Sequence, residues 1–569
     1  MERLAMTRNG SIWMLLAALA LTGIATPARA QQISEARIRE LIRQAADPTS
    51  RLQAPATTQP GATPDNRPMV AITLDDAVKF ALERNLDIAV QRLNPEINDI
   101  AIASIRSVYH PSLTSTISTQ SSTTPSTSTL SGGAAGGDAI VAGTGIYNGG
   151  IAQSIPWGGG GFNIALNNNR LTTTSLNVLY NPTYNTNWSG QYTQPLLRGF
   201  KIDATRRSLQ VTKINRDISD VQLRATITNT LSNVRNAYWD YVFALQAVEV
   251  AQKSLDLASN LVRDNQTRVE VGTMAPIDVV QAQSEQATRR QTLVLAQATQ
   301  RTTELALKRL IVGGTQDSNW SAQLNPTDRP DFRPEPIDIE AAVRRALSER
   351  TDLDIARKNI AGNDVTLKYL QDQLKPQADV QGTYGLVGLG GSQLITTGTG
   401  VNRTVTGAIP GGYGEALSTL FRNNFPRWTV QLNLSYPLGV SSQEASVARA
   451  RVQLNQVQAQ VKQIELQVAT DVTNAALTSQ SAAESVQAAQ AARELTQKKL
   501  EAEQSKFEVG MSTNYFVVQA QRDLADAQNT ELRQILNYRK SLVELERLQQ
   551  TTLQNLNITV LTAGGAIVQ

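Results

Sequence analysis

Two stretches of this chain, residues 202–270 and 443–508, contain neither proline nor glycine and consist largely of good helix formers: Ala, Gln, Leu, Val, Arg and Glu. At 1.5 Å per residue, each predicts a helix about 100 Å long. No globular core hides a helix of that length, and the polar residues spread around it require water over much of its circumference. Each stretch then meets Val-Gly (Val271-Gly272 and Val509-Gly510), followed by a second helical pattern over 277–311 and 515–553. Glycine supplies the left-handed conformation that ends a helix, so each unit predicts a long antiparallel helical hairpin. Hairpins wet on two sides and joined along narrow Ala- and Leu-rich seams suit the wall of a hollow cylinder.

The pairing of these stretches is part of a larger duplication. Sliding the chain by 265 residues lays 74–111 on 339–376 without a gap, and ten of 38 positions agree, among them Asp87/Asp352, Asn94/Asn359 and Pro111/Pro376. Ordinary residue frequencies give roughly two or three such matches. At an offset of 238, VGTMAPIDVVQAQ (271–283) matches VGMSTNYFVVQAQ (509–521) at seven of thirteen positions. Between these blocks, Pro111 to Pro195 spans 84 residues against 61 from Pro376 to Pro437, so the first copy holds 23 more. That interval tolerates insertion as a surface loop does.

Within each copy the hydrophobic period changes. Thr73 caps a predicted helix over 74–84, and a second helix covers 86–109, interrupted or kinked at Pro95. The equivalents in the second copy are 339–349 and 352–374. After Pro111 and Pro376 the period becomes two. The clearest case is 425–437, where Trp428, Val430, Leu432, Leu434 and Tyr436 alternate with Arg427, Thr429, Gln431, Asn433 and Ser435. About ten alternating residues make one tilted pass through a bilayer, although the pattern also suits a soluble β-hairpin domain. Segments 377–386, 113–120 and 186–194 repeat it, giving four predicted strands. The Gly-, Ser-, Thr- and Asn-rich stretches 121–185 and 388–424 predict long exposed loops.

Residues 1–30 carry Arg3 and Arg8, a short apolar run and Ala28-Arg29-Ala30, the layout of a cleavable secretory signal. Five prolines in 48–68 make the rest of an N-terminal extension, 31–71, a linker preceded by a short amphipathic segment. The repeats are then expected at 72–325 and 326–556, with a C-terminal tail at 557–569. Cysteine is absent, which excludes disulfides, thiolate chemistry and a lipidated N-terminal Cys. A net charge of +4 without a basic block gives nucleic acid no footprint. No cofactor, metal-ligand cluster or catalytic constellation is expected: the only histidine, His110, stands before Pro111 as Lys375 stands before Pro376, a structural pattern at two helix ends.

Helix, helix, strand, strand, long helix, Gly turn and returning helix, written twice, resembles the TolC-type outer-membrane efflux protein family. The carriers are AVKFALERNLDI (77–88), AVRRALSERTDL (342–353), Pro111 and Pro376 ahead of strands, and the Val-Gly turns before IDVVQAQ and YFVVQAQ. The resemblance implies a mainly α fold with membrane β: a homotrimer whose protomers each give four strands to a twelve-stranded β-barrel continued by a periplasmic α-helical barrel. It further implies an outer-membrane location, contact with outer-membrane lipid, and a passive exit duct for tripartite efflux or type I secretion that works with a periplasmic adaptor and an inner-membrane pump. The Gly turns would form the gated periplasmic tip, making Gly272, Asp278, Gly510, Tyr515, Phe516 and Gln519 the candidate site. Family members often carry acids six and nine positions after the second Gly; here those positions hold Phe516 and Gln519, and the sixth position of the first copy holds Asp278. Asp278 also suits any helix N-terminus, where the dipole favours an anion. Tyr515 and Phe516 suit either an apolar constriction or a seam between hairpins. A periplasmic adaptor or another coiled-coil envelope protein is the rival reading, but an adaptor needs one hairpin, and this chain has two.

Overall fold

Asp203 and Ser441 begin the two long helices by accepting hydrogen bonds from the backbone amides of Arg206 and Glu444. At Ser441 the side chain of Glu444 reaches back to close a capping box. The computed structural model describes residues 68–126, 139–329, 332–334, 336–398, 403–436, 438, 439, 441–561, 567 and 568. The expected signal segment, nearly all of the N-terminal extension and residues 562–566 and 569 of the tail lie outside them. Two compact units divide the chain, Met1–Ala56 with Val560–Val568, and Thr57–Thr559 with Gln569. Of the first, the described part is the antiparallel pair Val560–Leu561 and Ile567–Val568.

The second unit holds everything else. Helices α1 (Leu74–Arg84) and α2 (Leu86–Ser107) lead into strand β2 (Ser112–Thr124), and the chain later enters α3 (Ala204–Glu270), turns, and returns as α4 (Pro276–Ile311). After the short α5 (Ser318–Ser321), the second copy repeats this with α6 (Ile339–Glu349), α7 (Thr351–Gln373), β7 (Gln377–Thr397), α9 (Ser442–Glu508) and α10 (Asn514–Gln549). The long helices α3 and α9 have 67 residues each and the returning helices α4 and α10 have 36 each. Each long helix is flanked by its returning helix along one part and by α2 or α7 along the other. Thr73 caps α1, as expected, and Asp76 closes a capping box with it. The interruption expected at Pro95 does not occur: α2 runs unbroken through it, with Asn94 and Asn98 amides bonding to Gln91 and to the Asn94 carbonyl beside the missing donor.

Strand β1 (Met69–Ile72) pairs in parallel with β6 (Gln323–Pro326), so the start of the first copy is tied to its own end. Tyr238 and Tyr241 of α3 are fully buried against this pair; their hydroxyls donate to Asp328 at 2.8 Å and to the Leu324 carbonyl at 2.5 Å. Lys308, also buried, pairs with Glu304 at 2.7 Å and donates to the Ala322 carbonyl. In the second copy, Ala342, Ala346, Leu353, Val468, Val472, Ala476 and Leu545 form the core where α6, α7, α9 and α10 meet. Small residues dominate because the helices approach closely, and burial of the larger apolar side chains contributes about 1.5 to 3 kcal/mol each.

The sheet departs from expectation. The four predicted strands are present as β2, β5 (Tyr180–Pro195), β7 and β9 (Pro426–Ser435), but the described part of 121–185 is not a loop. It contains β3 (Ile140–Ser154) and β4 (Gly161–Thr173), a hairpin inserted between β2 and β5 and paired to both along its length. Likewise 388–424 contains the upper part of β7, the short β8 (Thr404–Ile409) and α8 (Tyr413–Phe421). The sheet runs β2-β3-β4-β5-β7, with β9 and β8 both on β7. Glycine concealed the inserted strands: it weakens the side-chain alternation by which a strand is read. At Gly388 and Gly390 it is required, since a Cβ would lie 2.0 Å from the Ala416 carbonyl oxygen and 2.5 Å from the Ala416 nitrogen, where α8 crosses β7.

Candidate functional site at the turn end of the hairpins

Both Val-Gly turns close their helices in the same way. Gly272, at φ +78°, donates to the Val269 carbonyl at 3.0 Å, and Thr273 donates to Arg268 at 2.9 Å. Gly510, at φ +80°, donates to Phe507 at 3.1 Å, and Met511 to Lys506 at 2.8 Å. These paired bonds satisfy the last carbonyls of each helix in a Schellman motif, and the left-handed residue has to be one that tolerates positive φ.

The two turns touch. Buried Asn265 of α3 donates to the Asn514 side chain at 3.0 Å, and Asn514, at the start of α10, donates to the backbone carbonyl of Asp278 at 3.3 Å. Arg268 lies over the Phe507 ring at 4.4 Å, and Leu261, Phe507 and Val517 pack with Met274 and Val518 beneath. One hairpin tip is therefore locked to the other by an amide pair, a cation–π contact and a small apolar plug.

Of the six site residues, Gly272, Gly510 and the Asp278 backbone belong to this junction. Tyr515 and Phe516 stand out from it, more than half exposed and edge-to-face at 5.6 Å. Gln519 lies to one side, donating to Asp523 at 2.8 Å, and Asp523 pairs with Lys499 at 2.8 Å. That lysine bond is the main reason the Asp523 carboxyl sits below the usual carboxylate range. The Asp278 side chain is half-buried in the first turn of α4.

The strongest electrostatic feature of this end lies just beyond the matched turn sequences. Glu285 of α4, 3% exposed, is held between Arg289 on its own helix at 2.7 Å and Arg522 of α10, whose Nε lies at 2.9 Å. Burial alone pushes the Glu285 carboxyl up, but the hydrogen bonds and charges of the two arginines outweigh it and hold it below its ordinary value. This clamp ties the returning helix of one hairpin to that of the other. Carrying the 238-residue match two positions past Gln283 and Gln521 aligns Glu285 with Asp523, which would have marked both acids.

The site therefore contains caps, ion pairs and packing. No group of three or more His, Asp or Glu residues able to hold a metal occurs among the described residues. No described helix is long and apolar enough to cross a membrane, so an apolar band has to be sought in the sheet. Directly opposed residues of an antiparallel sheet share a face. Leu113, Ile151, Ile164, Gly190, Tyr384 and Trp428 follow one another across β2, β3, β4, β5, β7 and β9. The same face carries Phe162 and Tyr192, Trp188 and Leu386, Val430 and Leu434, while the other carries Thr114, Asn163, Ser189, Gln381 and Thr429.

The family pattern described as outer membrane efflux protein matches residues 161–313 and 342–549. The chain belongs to that family. It is accordingly an outer-membrane protein whose helices extend into the periplasm. Among similar solved structures, the Campylobacter jejuni CmeC outer membrane channel shares 14% identity at a TM-score of 0.58, covering 89% of this chain and 96% of its own. CusC shares 14% at 0.59, covering 87% and 99%, and the Neisseria gonorrhoeae MtrE outer membrane channel 15% at 0.55, covering 84% and 88%. No curated protein matches the chain.

Proposed function

We propose that this chain is one protomer of a trimeric exit duct that takes cargo from an inner-membrane pump through a periplasmic adaptor, in tripartite efflux or type I secretion, and performs no chemistry of its own. One observation carries the reading: a sheet with one apolar and one polar face, whose outer strands β2 and β9 have no partner on their far sides among the described residues, continues directly into two 67-residue helices. Hydrocarbon offers nothing to an unpaired backbone edge, so such a sheet enters a membrane only by closing with copies of itself. Apolar side chains exposed along the helices, Val294, Leu295, Leu466 and Leu495 among them, support contact with further copies below the membrane. The Gly turns form the periplasmic tip, and the residues after them brace its aperture. The test is location and mass: the protein should fractionate with outer membranes and leave detergent columns at three times the chain mass by light scattering. Recovery as a soluble periplasmic monomer would overturn the proposal.

A further inference from the structure

Building on that trimeric duct, we propose that the hairpin β3–β4 is part of the membrane wall, so that each protomer supplies six crossing strands and the closed barrel has eighteen, not the twelve that the family resemblance implies. Length is the first argument. About nine to eleven tilted residues cross the hydrocarbon. Strands β2, β3, β4, β5, β7 and β9 have 13, 15, 13, 16, 21 and 10 residues. Strand β8, with 6, is too short, and it pairs with β7 only at 393–397, beyond the stretch that β9 occupies.

Height is the second. The β3–β4 turn, 155–160, lies where the strands meet the helices: Gln194 donates to the Gly158 carbonyl at 2.8 Å, Gln153 donates to the Tyr109 carbonyl at 3.0 Å, and a Cβ on Gly159 would lie 2.5 Å from the Gly199 carbonyl oxygen. The hairpin thus descends from one end of β2 and β5 to the other. Face is the third argument. Tyr147, Ile151, Phe162, Ile164 and Leu166 of the insert fall in register with Leu113, Trp188, Tyr192 and Tyr384, while Asn148, Ala152, Asn163 and Asn167 fall with the polar face. A hairpin lying over the barrel mouth or plugging its lumen has no reason to keep that phase.

Parity completes the case. Two added strands leave β2 and β9 antiparallel, so copies still join edge to edge in the favoured sense, which a single added strand would prevent. Barrel diameter grows roughly linearly with strand number, so the wall is about one and a half times as wide as a twelve-stranded one. The consequence is an outer exit suited to bulkier cargo.

The chain has no cysteine, so single cysteines introduced into the full protein report one position each. A fluorophore on Ile151→Cys or Ile164→Cys in proteoliposomes should be quenched by nitroxide-bearing lipid, as on Val430→Cys of β9. On Ala152→Cys, Ala165→Cys or Gln381→Cys it should respond instead to a water-soluble quencher. Electron microscopy of the detergent trimer should count eighteen strands in the wall. If positions 151 and 164 respond only to the water-soluble quencher while 430 still meets lipid, the hairpin is outside the wall and the channel reading stands. If 430 also fails to meet lipid, both fall together.

Discussion

At the scale of single residues, the turn end rests on groups whose removal has a definite sign. Glu285→Gln leaves Arg289 and Arg522 without their shared anion. Breaking a buried pair costs about 3 to 5 kcal/mol, and the low end applies because the Arg522 side chain is half exposed and recovers water. The expected result is faster amide exchange around 265–290 and 505–525, with the rest of the helices unchanged. A depressed carboxyl pKa contributes stability above its ordinary value and loses it as pH falls through the lowered one. Protection at the tip, which is exchange corrected for its intrinsic pH dependence, should therefore be flat from neutral pH down to the usual Glu range near about 4.3 and fall only below it. Opening at mildly acid pH would mean that another group holds the tips together. Gly272→Ala and Gly510→Ala each meet empty space but a left-handed backbone. The strain of about 1 to 2 kcal/mol should appear as local exchange at the turn without loss of assembly. These glycines were legible because a helix stop is a local signal. Glu285 was not, because its second partner lies 237 residues away.

At the scale of elements, legibility followed the strength of each period. Helices α1 and α6 fall at the residues expected, and α3 and α9 within two residues, because a helix interior written in helix formers and closed by Asp203 or Ser441 at one end and Gly at the other leaves little choice. Strand β9 was equally clear through its Trp-Val-Leu-Leu alternation. The hairpin β3–β4 was visible only as 23 surplus residues. With Gly143, Gly145, Gly149 and Gly150 in one strand and Asn167, Asn168 and Asn169 in the other, its composition imitates a loop, and cross-strand pairing overrides that composition. The correction reverses one topological expectation. An epitope placed in 174–179, the turn between β4 and β5, should react on intact cells, whereas one in 155–160, beside the helices, should react only after the outer membrane is opened. Equal labelling of both on intact cells would place the whole insert outside the membrane.

At the scale of the whole molecule, the proposed duct sets its aperture between three copies, where residues that look idle in one protomer would acquire a role. Phe516 and Tyr515 cover one another and leave most of their rings in water, an arrangement that costs apolar exposure unless a neighbouring copy covers them. The family resemblance leads one to expect acids at positions 516 and 519, yet here Phe516 offers packing and Gln519 only a bond to Asp523. Asp278 contributes one anion per protomer, and its backbone is already engaged by Asn514. Closure should therefore depend more on ring contacts between copies and on the Glu285 clamp within each copy than on a ring of carboxylates that traps cations. Phe516→Ala removes contact without disturbing the buried core of its own protomer. Trimers should still form and purify normally while their single-channel conductance in planar bilayers rises. Asp278→Asn should change cation preference modestly and leave conductance near its starting value. If Phe516→Ala has no effect and Asp278→Asn alone opens the pore, charge holds the aperture shut and the packing account fails.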